Sequence, residues 1–184
     1  TSDRKLITYV VLHTASWHML EQAKATEEGR FYNSMAANLF SAFCIEAYLN
    51  HLGMEKVPQW GNLERKLSPR DKLDRVTTAI GYTVLYDRPP FQSFIEIFRF
   101  RDAVVHGKTA HLTDRSEQKL LLGQKPRLKK TSWEGQLRLE ITQRFFDDTR
   151  KMIVILHSHA GYDQDPFSTQ ETAAWKSEFK TDDW

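Results

Sequence analysis

Between residues 32 and 52, Met35, Ala36, Leu39, Phe40, Phe43, Ala47, Tyr48 and Leu52 recur at steps of three and four, the period of an α-helix. Apolar side chains continue around most of its circumference, so the helix has no wide face to give to water. Such a helix must be surrounded, and the rest of the chain has to supply its neighbours. Gly53 reads as its end. Glu46 and Asn50 are four residues apart, about 40° around the axis, and share one side. A carboxylate on a mostly buried helix needs a partner. Either Glu46 sits at a wet seam between helices, or it accepts hydrogen bonds from an arginine of another helix.

The neighbours are mostly helical too. Residues 6–12 are rich in β-branched side chains and fit a short strand or the first turns of a helix. Residues 15–28 have helical composition, with Gly29 as a break. Residues 54–67, with Pro58, Trp60 and Gly61, read as an irregular connector. Ser68-Pro69-Arg70-Asp71 is a helix start: a capping serine, a proline at the first helical position, and an acid at the positive end of the helix dipole. That helix should reach about Ile80 and stop at Gly81. A loop over 82–90 closes with Pro89-Pro90. The next helix, 91–106, carries a stripe of Phe91, Phe94, Ile95, Phe98 and Val105, with Asp102 inside the stripe by helical angle and Arg101 and His106 on its flanks. Residues 109–136 have no helical period and read as a long basic loop, with room for a short hairpin. A last helix over 139–159 buries Ile141, Phe145, Met152, Ile153 and Leu156, with Asp147, Asp148, Arg150 and Lys151 as its wet face and Gly161 as its end. The tail, 162–184, is acidic, with Ala173, Ala174, Trp175 and Phe179 as a short docking helix. Five substantial helices and few strand signals make an all-α bundle: one domain over 1–184, with its core at about 15–160.

Charge and cysteine bound the function. The net charge is only +2, yet residues 99–130 hold nine Lys/Arg against three acids, and residues 161–184 hold six acids against two Lys. The basic block suits an anionic ligand such as nucleic acid, or is a solvated loop with ordinary lysines. One cysteine, Cys44, allows no disulfide framework and no cysteine metal cage within the chain; this fits a cytoplasmic protein. No apolar run approaches about 18 residues, so no membrane span is expected, and Thr1-Ser2-Asp3-Arg4-Lys5 has no signal-peptide shape. His13 with His18 and His157 with His159 lack metal-ligand spacing backed by carboxylates and read as surface or capping histidines. The five tryptophans can stack bases or simply pack. No metal and no cofactor is called for.

The densest chemistry is Arg101-Asp102-Ala103-Val104-Val105-His106, followed by Gly107-Lys108. Asp102 and His106 are four apart, within side-chain reach on one helix, so the carboxylate can orient the imidazole. Arg101 and His106 are five apart, roughly 140° around the helix; one copy does not aim both at the same point, but the long arm of arginine can compensate, or a second copy across a two-fold axis can supply the missing half. Arginine with histidine and no metal suits RNA phosphodiester cleavage. The 2′-hydroxyl must lose a proton and the leaving 5′-oxygen must gain one, both within reach of an imidazole, while a guanidinium grips the phosphate. The plain alternative is an Arg–Asp salt bridge and a histidine C-cap.

This motif resembles that of the HEPN-domain family (higher eukaryotes and prokaryotes nucleotide-binding), marked by Arg, a polar residue, three further residues and His. The apolar helix before it is similar, and so is Phe40-Ser41-Ala42-Phe43-Cys44-Ile45-Glu46-Ala47-Tyr48-Leu49-Asn50, which resembles an earlier helix frequent in the family. The resemblance spans roughly residues 15–160. It implies an up-and-down helical bundle that dimerises with the motifs facing each other in one cleft. Many members are metal-independent endoribonucleases in toxin–antitoxin, phage-defence or RNA-processing systems, so an antitoxin or regulator protein is an implied partner beside RNA. On that reading His106 is the general acid/base, Arg101 binds phosphate and Asp102 positions His106. Glu46 supports Arg101 from behind, and Lys108, Lys125, Arg127, Lys129 and Lys130 draw in the RNA backbone. Two positions depart from the pattern. Asp102 stands where Asn is usual, adding negative charge beside a phosphate site, and Lys108 stands where one subgroup carries a tyrosine that a partner nucleotidyltransferase modifies. Two other readings remain open: a non-catalytic nucleotide-, RNA- or protein-binding module of the same fold, and a purely structural network of Arg101, Asp102 and Glu46.

Overall fold

The expected central helix exists and is longer than its apolar run. In the computed structural model, which describes residues 6–109, 111–112 and 129–168, helix α2 (Arg30–Lys56) packs against each of the other helices. These are α1 (Thr8–Ala25), α3 (Trp60–Leu63), α4 (Pro69–Ala79), α5 (Phe91–Val105) and α6 (Leu139–His159), with a 3-10 turn at Glu134–Leu137 ahead of α6. No strand occurs among the described residues. The architecture is an all-α bundle built around α2.

Small residues let α1 lie close on α2. Ser16 Oγ donates to the Ala37 carbonyl at 2.9 Å and lies 2.9 Å from Ser41 Oγ, so two hydroxyls that would otherwise be orphaned serve each other and the backbone. Cys44 Sγ reaches the Tyr9 carbonyl at 3.2 Å, and burial pushes the Cys44 thiol up, keeping it protonated and inert. Tyr48 packs edge-on against Tyr9 of α1 at 5.1 Å, and Ile45, Leu49 and Leu52 are buried in the core with Leu73, Phe94, Ile97, Phe145 and Met152 of α4, α5 and α6. Each such side chain contributes about 1.5–3 kcal/mol by leaving water.

Residues 6–12 are resolved in favour of helix: α1 begins at Thr8 and buries Tyr9 and Val10. Gly29 takes positive φ (72°) and separates α1 from α2, as its freedom from a Cβ allows. Gly53, read as an end, lies inside α2 instead. The Trp60 indole packs directly on it, so closely that a Cβ there would overlap the ring. The connector after α2 is correspondingly less irregular than expected, because α2 runs on to Lys56 and α3 forms at Trp60 to seat that indole. The α4 start is as expected: Ser68 and Asp71 form a reciprocal capping box with Pro69 in the first turn.

Two faces differ from the wheel. On α5 the buried set is Phe91, Ser93, Phe94, Ile97, Phe98 and Phe100, while Val105 and Asp102 are exposed and Val104, between them, is the residue of the last turn that packs on the core. On α6 Asp148 is buried, not wet. It accepts a hydrogen bond from Ser93 of α5 and lies 3.7 Å from Lys151 Nζ, so its burial is compensated as a buried carboxylate requires. Asp147 accepts from Gln143 instead. The middle of the basic loop and the tail beyond residue 168, with the expected docking helix, lie outside the described residues. No helix among the described residues is long and apolar enough to cross a membrane.

Candidate functional site

Three helices bring four charged side chains to one place. Glu46 of α2 faces α5 and α4 together. Its Oε2 accepts from Arg101 Nη1 at 2.9 Å and its Oε1 from Lys72 Nζ at 2.8 Å. Arg101 turns its other edge back on its chain neighbour: Nε and Nη2 both donate to Asp102 Oδ1, at 2.9 and 2.7 Å. Its guanidinium carbon lies 4.9 Å from the centre of the Phe98 ring, which supports it from below. The side chain of Lys72 is 6% exposed, that of Arg101 18%, and that of Asp102 54%, so the network runs from a buried lysine side chain out to a carboxylate in water. Two cations and two anions balance.

The expected arginine partner of Glu46 is thus present, and it is Arg101. Lys72 is the member that the sequence reading missed. A signal existed: Lys72 lies on the same α4 face as Leu73, Val76 and Thr77, all buried, and a lysine in an apolar stripe asks for an anion.

The Asp102 carboxylate does not bond the His106 imidazole. Among the described residues no hydrogen bond or ion pair joins their side chains, and the carboxylate is held by Arg101 instead. Spacing allowed both arrangements; the guanidinium wins because it offers two donors to one oxygen and full charge. His106 is the C-cap of α5, its N–H bonded to the Asp102 carbonyl at 2.9 Å, with an exposed side chain. Lys108 follows, also exposed. Lys129 and Lys130 are exposed in the chain leading into the 3-10 turn, while Lys125 and Arg127 lie outside the described residues. Among the described residues no three His, Cys, Asp or Glu side chains converge as metal ligands do.

The other histidines are not all surface or capping groups. His13 lies between the rings of Phe146 and Phe167, at 4.8 and 4.0 Å, and Arg150 is held nearby by Asp165 at 2.7 Å. Burial, with the Arg150 charge second and Asp165 opposing, lowers its pKa to about 4. His157 pairs its Nδ1 with the Tyr48 hydroxyl at 3.1 Å, and burial lowers it as well. Linkage fixes the sign. The unfolded chain takes up the His13 proton near pH 6.5 and the folded chain only near 4, so stability drops as pH falls through that window. Urea unfolding should therefore show a midpoint at about pH 5 below that at about pH 7. His13→Phe, which keeps the stack but cannot titrate, should flatten this slope and leave the part due to His157. An unaltered slope would mean that His13 charges freely in the folded protein.

The chain matches no family model, no curated protein sequence and no solved structure.

Proposed function

We propose that this chain is a HEPN-type, metal-independent endoribonuclease that acts as a homodimer, its two Arg101–His106 motifs sharing one cleft. The observation that carries the reading is the mounting of the motif. Arg101 is fixed from behind by Glu46, and His106 stands exposed at the C-terminal end of the same helix with Lys108 two residues on. An exposed imidazole from one copy and a braced guanidinium from the other, brought together across the two-fold axis, are what general acid–base attack on a phosphodiester needs.

In that reaction one His106 takes the proton from the 2′-hydroxyl as its oxygen bonds to phosphorus. The bond to the 5′-oxygen breaks, and the partner copy's imidazolium protonates the leaving oxygen. The products are a 2′,3′-cyclic phosphate and a 5′-hydroxyl, so DNA is spared. Arg101 has five N–H donors, three of which are given to Glu46 and Asp102; the other two can meet a phosphate oxygen each. The exposed Val105 next to the motif supplies apolar surface for the two-fold contact. A cytoplasmic setting with an antitoxin or regulator as partner fits this reading.

Purified protein incubated with mixed RNA in EDTA should cleave it. His106→Ala should lower the rate by about 10²–10⁴, and Arg101→Ala should lower it comparably. Cleavage that survives both changes removes these residues from the chemistry.

One observation favours a second reading, a binding module of the same fold without chemistry: Asp102 draws on Arg101 and leaves His106 without a carboxylate partner. Asp102→Asn separates the two. On the enzyme reading it frees the guanidinium and raises cleavage; on the binding reading it tightens RNA and produces no cut ends.

A further inference from the structure

We propose that Phe31, Tyr32 and Trp133 form a stacking platform for the unpaired bases of a single-stranded RNA, whose backbone passes Lys129 and Lys130. The inference rests on the RNA reading above for its ligand class, but not on cleavage.

Three aromatic rings meet where the first turn of α2 approaches the segment before α6. Phe31 lies 5.4 Å from Tyr32, edge to face, and 6.0 Å from Trp133. Trp133 in turn lies 6.5 Å from Phe100, which is fully buried and precedes Arg101. The rings therefore lead from the core at the motif end of α5 to the surface at α2. They grow more exposed along the way: Trp133 is half-buried, Phe31 is 42% exposed and Tyr32 68%. Nothing in the folding of the bundle asks for a 68%-exposed tyrosine beside an exposed phenylalanine.

The platform is rigid where a stacking surface must be. Trp133 opens the 3-10 turn; its carbonyl accepts from Gln136 N at 3.0 Å, and Gln136 O accepts from Asn38 Nδ2 of α2, also at 3.0 Å. Leu137 is buried behind the turn.

A second observation concerns the seam beneath the rings. Ser34 Oγ, Asn38 Oδ1, Thr131 Oγ1 and Gln136 Oε1 are buried and find no hydrogen-bond partner among the described residues. All four belong to the two segments that carry the platform, whereas buried polar atoms are normally paired. Charge points to a polyanion: Lys129 and Lys130 are exposed and make no ion pair among the described residues. The nearby acids are engaged, Glu27 with Arg30 at 3.6 Å and Glu134 with the Thr131 N–H; Glu28 is the exception. Aromatic faces beside lysines bind single strands through stacking and backbone attraction together.

The test is fluorescence anisotropy with a short fluorescein-labelled oligoribonucleotide of mixed sequence, single-stranded or annealed into a duplex. The His106→Ala background prevents cleavage. The single strand should bind more tightly than the duplex. Tyr32→Ala, at a position exposed enough to leave the fold intact, should weaken single-strand binding about tenfold. Replacing Lys129 and Lys130 by Ala should flatten the slope of log affinity against log salt by about 1.4. Equal binding of duplex and single strand, an unchanged affinity in Tyr32→Ala, or no binding at all overturns the platform. Cleavage that needs His106, with an affinity indifferent to Tyr32, overturns the platform and leaves the enzyme reading standing. Tyr32-dependent binding to a protein that never cuts does the reverse.

Discussion

Glu46→Ala should cost about 3 kcal/mol of stability, the lower end of what breaking a buried ion pair costs. In a chain of this length that is a fall in Tm of about 6–12 °C. The cause is Lys72, not Arg101. With Glu46 gone, Arg101 keeps Asp102 and some contact with water, whereas Lys72, whose side chain is 6% exposed, loses the only anion it touches among the described residues. Lys72→Met should cost far less, below about 1.5 kcal/mol, because methionine fills a similar volume and Glu46 still holds Arg101. The discriminating measurement is the double variant. Once Lys72 is Met, Glu46→Ala leaves no stranded charge, so its cost should shrink by about 2 kcal/mol, a coupling expected of side chains in direct contact. Denaturation curves that show equal and additive losses would mean that the four charges do not form one unit. The same pair bears on function. A purely structural network predicts that RNA binding follows stability through all three variants. If Glu46 aims Arg101 at a phosphate, affinity falls in Glu46→Ala even where the protein is fully folded.

Gly53→Ala should destabilise by about 2 kcal/mol, against the usual direction of such a change. Inside a helix alanine is favoured over glycine by about 1 kcal/mol, and the backbone at Gly53 is helical. The added methyl, however, would overlap the Trp60 indole. Trp60 is 1% exposed and fully packed, so it cannot tilt away without moving α3, and overpacking of that kind costs about 1–3 kcal/mol or more. Trp60→Leu gives the control. It creates a cavity and is itself destabilising, but it removes the obstacle, and Gly53→Ala in that background should become neutral or stabilising. A destabilisation of the same size in both backgrounds would assign the effect to the helix and not to the indole.

The α4 start was legible in the sequence because capping is local: Ser68, Pro69 and Asp71 act within one turn and answer to nothing else in the fold. The bounds of α6 were legible for a similar reason, since an apolar period of about 3.6 residues sustained over several turns fits a helix and does not fit a strand or a loop. Glu46 was legible as a question, because a carboxylate on an apolar helix announces that it has a partner. Arg101, Asp102 and His106 were legible as a cluster of chemistry.

The sequence by itself determined the longer helices apart from the start of α1 and the end of α2, the central place of α2 and the residues worth watching, because periodicity and capping are properties of a few neighbouring positions. Only the tertiary structure decided what those residues do. Gly53 became a packing surface because Trp60 returns to it from another element. Asp148 left the wet face because Ser93 waits on α5. Lys72 joined the network because α4 docks where Glu46 points. Asp102 bonded Arg101 and left His106 alone because that guanidinium, braced by Glu46 and Phe98, was already lying across it. In the first three cases the deciding partner sits on another helix, and in the fourth Glu46 of α2 braces the neighbouring arginine; distance in the chain carries no signal of such contacts in space.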